Sequence, residues 1–156
     1  MRYNRIKNKS FEILIIFILL FPFISGTFIL INNFYNFSEI RNKEYKFIII
    51  FYMFFTLFYS IILFIYILNY SFNINFKLFN WINIGSFIID FGFHIDSITV
   101  IMLIIINIIS FLVHIYSLDY MKNDKNILKF LSFLSFFTFF MLILVTADNF
   151  LQMFVG

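Results

Sequence analysis

Four long apolar runs constrain this chain more than any other feature. They cover about residues 11–31, 47–68, 97–117 and 130–146, and each falls within the roughly 17–25 residues that a transmembrane helix needs. Charged residues make up only 12% of the chain, against about a quarter in soluble domains. The sequence therefore predicts an all-α, multi-pass membrane protein in which residues 1–156 form a single membrane domain with four transmembrane helices.

The first run has a second interpretation. Basic residues precede it, and the small residues Ser25, Gly26 and Thr27 lie near its end, a pattern that also occurs in cleaved signal peptides. The length of the run and the three runs that follow favour a transmembrane helix.

The segment between the second and third runs has a different periodicity. From Phe87 to Asp96, apolar residues alternate with polar or small ones, which is typical of a strand with one wet face. Gly85 and Ser86 are suited to a turn that leads back to Trp81. We expect a short β-hairpin-like loop outside the lipid, at about residues 81–96, with Asp96 capping the third helix.

A polar stripe follows one side of the third helix. Six side chains fall within an arc of roughly 80° at about 100° per residue: Asp96, Thr99, Asn107, Ser110, His114 and Ser117. Polar groups in hydrocarbon normally face a neighbouring helix or a hydrated cavity. Helix packing is the favoured interpretation and a proton path is the other, with Asn107, Ser110 and His114 as candidates.

The fourth helix and the segment after it carry further polar residues. Ser132, Ser135, Thr138 and Thr146 share one side, where small hydroxyl residues allow a second helix to approach. Asp148 follows this helix and is typical of a helix cap; it is the fourth candidate proton-path or interface residue. A fifth helix is expected to start within residues 150–156.

The composition excludes several kinds of chemistry. The chain has no Cys and only two His, so thiol catalysis and a protein-built zinc site are not expected. We predict no catalytic, cofactor-binding or metal-binding residue. Its 11 basic residues lie in the tail and the polar loops, a pattern that orients membrane spans relative to the lipid and gives no indication of nucleic-acid binding.

Several motifs resemble those of one family. They occur in the order FHIDS at 93–97, LVHIYS at 112–117, YM at 120–121, FTFFM at 137–141 and LVTADNFLQMFVG at 144–156. Together they resemble the N-terminal portion of chain 5 of NADH:ubiquinone oxidoreductase, respiratory complex I. Residues 1–80 match only in pattern. The many Phe, Ile and Asn residues fit the codons of an A/T-rich genome such as that of an organelle.

The resemblance implies an antiporter-like subunit in the mitochondrial inner membrane. That subunit translocates protons while other subunits, with FMN, iron–sulfur clusters and ubiquinone, transfer electrons from NADH. This chain would thus be an enzyme subunit by membership, without a complete active site, and its partners would be other membrane-arm subunits. The resemblance implies an orientation in which the hairpin faces the intermembrane space and the other two loops face the matrix. The basic residues do not decide between the two possible orientations, because six lie in the loops on one side and five lie in the tail and hairpin on the other.

The resemblance also leaves alternatives open. The family's intramembrane Glu and Lys lie on helices after the matched motifs, so either a second polypeptide supplies them or the sequence is a truncated piece. Other possibilities are a subunit of a multisubunit cation/proton antiporter, or a small membrane scaffold or assembly protein without transport activity.

Overall fold

The computed structural model describes residues 2–34, 41–70, 74–85, 87–122, 124 and 126–156. The elements, in chain order, are α1 (Arg2–Phe34), α2 (Arg41–Tyr70), β1 (Ile74–Ile84), β2 (Phe87–Ile95), α3 (Ser97–Tyr120), α4 (Ile127–Thr146) and α5 (Phe150–Val155). The segments long and apolar enough to cross a membrane are Glu12–Ile31, Lys46–Leu68, Ser97–Tyr120 and Ile127–Thr146. The predicted fold class, four spanning helices with a hairpin between the second and third, is confirmed.

The helices are longer than the apolar runs that predicted them. α1 and α2 extend into the polar segment 32–46, of which residues 35–40 lie outside the described part, and α3 continues to Tyr120. α4 begins at Ile127 and not at about residue 130. The length of an apolar run matches the thickness of the hydrocarbon core that it crosses. Helical backbone hydrogen bonds continue into the polar flanks, so the helices extend beyond the apolar runs.

The hairpin is also longer than predicted. β1 and β2 pair antiparallel from Ile74 with Ile95 to Ile84 with Phe87, so the first strand begins seven residues before the expected Trp81. Two irregularities in register, between Lys77 and Phe79 and between Asn80 and Ile82, break the period-two pattern that would have revealed it.

The turn of the hairpin lies where the sequence placed it. Gly85 has a φ of 60°, a backbone conformation that glycine adopts without a steric cost. Ser86, the other residue of the predicted turn, lies outside the described part.

The four long helices pack as neighbours around two buried apolar clusters. One cluster joins α1, α2, α3, α4 and the base of the hairpin through residues such as Ile18, Leu63 and Leu103, and the other lies nearer the α3–α4 connection. Gly26 of α1 lies so close to α4 that an added Cβ would be 3.3 Å from the Ser132 carbonyl oxygen. Many large apolar side chains point outward, as in Phe137, which is 62% exposed; lipid would cover such a surface.

Candidate functional site

The polar stripe of α3 faces the protein interior. Asn107, Ser110, His114 and Ser117 are all buried, and the His114 side chain is 0% exposed. The sequence expectation that this stripe avoids lipid therefore agrees with the structure. Whether it carries protons stays a prediction.

His114 connects α3 to α4. Its Nδ1 atom lies 2.7 Å from the backbone carbonyl oxygen of Ser110, one helical turn earlier. Its Nε2 atom lies 3.2 Å from the Ser135 hydroxyl on α4. These two contacts fix the plane of the imidazole ring between the helices. The contact with Ser110 spans 4 residues and is local to α3, whereas the contact with Ser135 spans 21 residues and is tertiary.

The hydroxyl residues of α4 line the same interface. Ser132, Ser135, Thr138 and Thr146 are buried, and each donates to a carbonyl oxygen three or four residues earlier in its own helix. Such bonds satisfy a hydroxyl inside hydrocarbon without a partner helix. The predicted packing face of α4 is thus present in the structure.

Sequence reasoning missed three equivalent residues on the first two helices. Ser25, Thr56 and Ser60 are buried and donate in the same way to Pro22, Met53 and Leu57. Isolated small hydroxyl residues within apolar runs were the available signal.

Asn107 is the least satisfied member of the stripe. The side chain is 3% exposed, and within the described part of the chain its Nδ2 atom has no hydrogen-bond acceptor. A buried amide without a partner costs about 1–3 kcal/mol. Asn107 thus contributes a donor to the interior, not a packing contact alone.

Asp96 caps α3 as predicted. Its carboxylate accepts a hydrogen bond of 2.9 Å from the backbone N–H of Thr99, and the Thr99 hydroxyl lies 2.8 Å from the Asp96 backbone nitrogen, completing a capping box. The backbone N–H of Thr99 is the main reason that the pKa of Asp96 is lowered; the Thr99 hydroxyl and nearby His94 act in the same direction.

The segment between α4 and α5 docks onto the second strand of the hairpin. Ala147 forms an antiparallel bridge with Phe93, and the Asn149 side-chain amide donates to the Asp90 carbonyl oxygen at 2.7 Å. The Gly92 backbone N–H donates to the buried Gln152 side chain at 3.3 Å. These contacts tie the start of α5 to the hairpin.

Asp148 has a different position from the one expected. The N-cap residue of α5 is Asn149, without a side-chain capping bond. Asp148 lies over Gly92, where an added Cβ would be 3.3 Å from its carboxylate. Asp148 also lies far from His114, because Ser135, the α4 partner of His114, is about 17 Å along α4 from Thr146, at about 1.5 Å per residue. The four candidate residues therefore do not form one site.

One ion pair stabilises the hairpin close to this corner. Lys77 of β1 bonds to the Asp90 carboxylate of β2. The hydrogen bond and the charge of Asp90, with a smaller contribution from Asp148, raise the pKa of Lys77. Among the described residues, no group of three His, Cys, Asp or Glu side chains lies close enough to hold a metal ion.

These features define a class: a polytopic helical membrane protein with a buried His–hydroxyl contact between two spans and a hairpin held against the start of α5. Comparison with known proteins narrows that class. Residues 81–131, which cover β2, α3 and the start of α4, match the family model described as NADH-ubiquinone oxidoreductase (complex I), chain 5 N-terminus. The prediction that the chain resembles the N-terminal portion of complex I chain 5 is confirmed.

Individual relatives agree with this assignment. The chain is 49% identical over 79 residues to NADH-ubiquinone oxidoreductase chain 5 of Chondrus crispus, a match of 51% of this chain and 12% of that relative. It is 43% identical over 143 residues to NADH-quinone oxidoreductase subunit L of Rickettsia typhi, covering 92% of this chain and 21% of the relative. The chain thus spans between about an eighth and a fifth of the length of these relatives.

Proposed function

We propose that this chain provides the first helices of the proton-translocating chain 5 in the membrane arm of complex I, in the mitochondrial inner membrane. The observation that carries the proposal is the family match at residues 81–131, which contain the end of β1, β2, α3 and His114. The relatives are named as NADH–ubiquinone or NADH–quinone oxidoreductase subunits. Electron transfer, with FMN, iron–sulfur clusters and ubiquinone, takes place in other subunits.

The role of the chain in pumping is to support a proton path. A charge crossing hydrocarbon needs a series of side chains or waters that accept it. His114 is the one imidazole within the described spans, and the described side chains within hydrogen-bonding distance of its ring are the hydroxyls of Ser110 and Ser135. One imidazole cannot bridge about 30 Å of hydrocarbon, so the path needs titratable groups from neighbouring helices.

We propose that those neighbours are the remaining helices of chain 5, together with other membrane-arm subunits and lipid. The outward apolar surface of the spans suits both lipid and further helices. The buried α3–α4 interface and the contacts between the hairpin and α5 would then keep the four spans in place while further helices pack against their outer surface.

Depletion of the chain tests this function. In mitochondria lacking it, NADH-driven proton uptake through complex I should fall to background, whereas succinate-driven proton uptake should be unchanged. Restoring the chain should restore the NADH-driven uptake. Unchanged NADH-driven pumping after complete depletion would contradict the proposal and support an unrelated scaffold role.

A further inference from the structure

A continuous row of hydrogen-bonding groups joins α3 to α4 through His114. It runs from the Ser110 carbonyl oxygen to His114 Nδ1 at 2.7 Å, from Nε2 to the Ser135 hydroxyl at 3.2 Å, and from that hydroxyl to the Leu131 carbonyl oxygen at 3.0 Å. Both ends of the row are carbonyl oxygens, which only accept. The Ser110 hydroxyl also lies 3.4 Å from Nδ1, but the carbonyl oxygen is the nearer contact at 2.7 Å and can only accept. This geometry favours the ring proton at Nδ1 when His114 is neutral.

The row has two hydrogen-bonding states, one for neutral and one for protonated His114. Its three links need three protons, but a neutral imidazole and one hydroxyl supply only two. In the neutral state the Ser135 hydroxyl can donate to His114 or to Leu131, not to both. With a second ring proton, at Nε2, the imidazolium donates to Ser135, the hydroxyl donates to Leu131, and all three links are filled.

We infer that His114 Nε2 is a proton-binding site between α3 and α4, and that proton binding turns the Ser135 hydroxyl from the imidazole toward the Leu131 carbonyl. The proton comes from water and adds to the Nε2 lone pair; release is the reverse, and the Nδ1 proton stays in place throughout. The inference deepens the proposed function, since it names the atoms of one proton-accepting site within the helices.

The surroundings of the ring set the resting state. The elements packed against α3 are α2, α4 and β2, and their titratable groups include Tyr52, Tyr59 and Tyr66 on α2, Lys129 on α4 and Asp90 and His94 on β2. None of these is bonded or ion-paired to His114 within the described part of the chain. Burial without a counter-charge opposes the imidazolium, so the neutral ring is the resting form.

The test is ¹⁵N NMR of membranes that contain the chain, grown with ¹⁵N-labelled histidine. Signals lost in the His114→Gln variant but kept in His94→Gln belong to His114. We expect one protonated ring nitrogen, Nδ1, and one bare, hydrogen-bonded nitrogen, Nε2. Acidification should convert the Nε2 signal to the protonated form and leave Nδ1 unchanged.

Variants of α4 identify the partner. Ser135→Ala should move the Nε2 signal to that of an unbonded nitrogen, Ser135→Thr should restore it, and the matched control Ser132→Ala should leave it unchanged, because the Ser132 hydroxyl donates to Lys129. If His114→Gln is not stably inserted, the signal that responds to Ser135→Ala and not to Ser132→Ala provides the assignment.

Three results would overturn the inference: a proton on Nε2 with a bare Nδ1 in the resting state, no response of either nitrogen to Ser135→Ala, or no protonation down to the pH at which the protein unfolds. These spectra require only the chain in its membrane. The depletion experiment tests the proposed function independently, because unchanged pumping after depletion would contradict that function without affecting these spectra.

Discussion

At the scale of single residues, the polar side chains of this protein do two different jobs. The hydroxyls of Ser132 and Thr138 are satisfied within their own helix and mainly permit close packing. Asp96 instead caps the start of α3, and His114 links α3 to α4. Substitutions at these two positions should therefore have specific and measurable effects.

Replacing Asp96 by Ala should lower the free energy of unfolding by about 1 kcal/mol, the usual cost of a lost N-cap. The folded pKa of Asp96 lies below its ordinary value, so the carboxylate stabilises the fold fully above the unfolded pKa of about 4. That contribution is lost as pH falls through the folded pKa. Thermal unfolding at neutral and acid pH would measure both effects.

The matched control for this prediction is Asp96→Asn, which keeps an oxygen acceptor at the cap and removes the titration. It should retain most of the stability at neutral pH and lose the part of the acid dependence that Asp96 causes. An Asp96→Ala protein as stable as the parent at neutral pH would show that the cap has no energetic role.

Replacing His114 by Ala should reduce the amount of assembled complex or its pumping moderately while NADH oxidation continues. The lost interhelical hydrogen bond is worth about 1 kcal/mol in a bilayer, and Ser135 retains its bond to Leu131. Quantifying assembled complex and proton uptake would measure the effect. Tyr116→Ala is the control, because that side chain lies on the same helix and is 69% exposed. Complete loss of coupling in a normally assembled His114→Ala complex would contradict this prediction and would mean that His114 is essential.

At the scale of elements, the sequence predicted the helices and strands that have a periodic pattern, and it missed the contacts between elements that are distant in sequence. The apolar runs indicated four helices, and the alternation at Phe87–Ile95 indicated β2, because each pattern repeats within a few residues. The contact of Asn149 with Asp90 joins residues 59 apart, and no local pattern encodes it. The buried Gln152 was missed for the same reason, since its acceptor role depends on the docked hairpin.

The clamp between the hairpin and α5 gives a prediction at this scale. Asn149→Ala removes the bond to the Asp90 carbonyl oxygen and should cost about 1 kcal/mol, the typical net value of a hydrogen bond. Amide exchange in β2 through local opening should then be roughly five times faster. Phe150→Ala, whose side chain is 86% exposed, is the control; equal exchange in both variants would show that Asn149 does not hold the hairpin.

At the scale of the whole molecule, the order of spans determines its arrangement in the membrane. Two spanning segments precede the hairpin, and α3 separates the hairpin from the α3–α4 connection. The tail and the hairpin should therefore lie on one side, which we propose is the intermembrane space, and the α3–α4 connection on the other.

Single cysteines at Asn83 and Asp124 test this arrangement, because the chain has no native Cys and both positions are exposed. A membrane-impermeant thiol reagent should label them from opposite sides of the membrane, with Asn83 accessible from the side that we propose is the intermembrane space. Labelling of both from the same side would mean that α3 does not cross the membrane.

The central proposal is that this chain is a working part of complex I, and native co-isolation tests it most directly. Complex I captured through a tag on this chain should oxidise NADH with ubiquinone. Quantitative mass spectrometry should find this chain in equal amounts with the other membrane-arm subunits. Isolation of the chain without the NADH-oxidising subunits, or of complex I without the chain, would contradict the account.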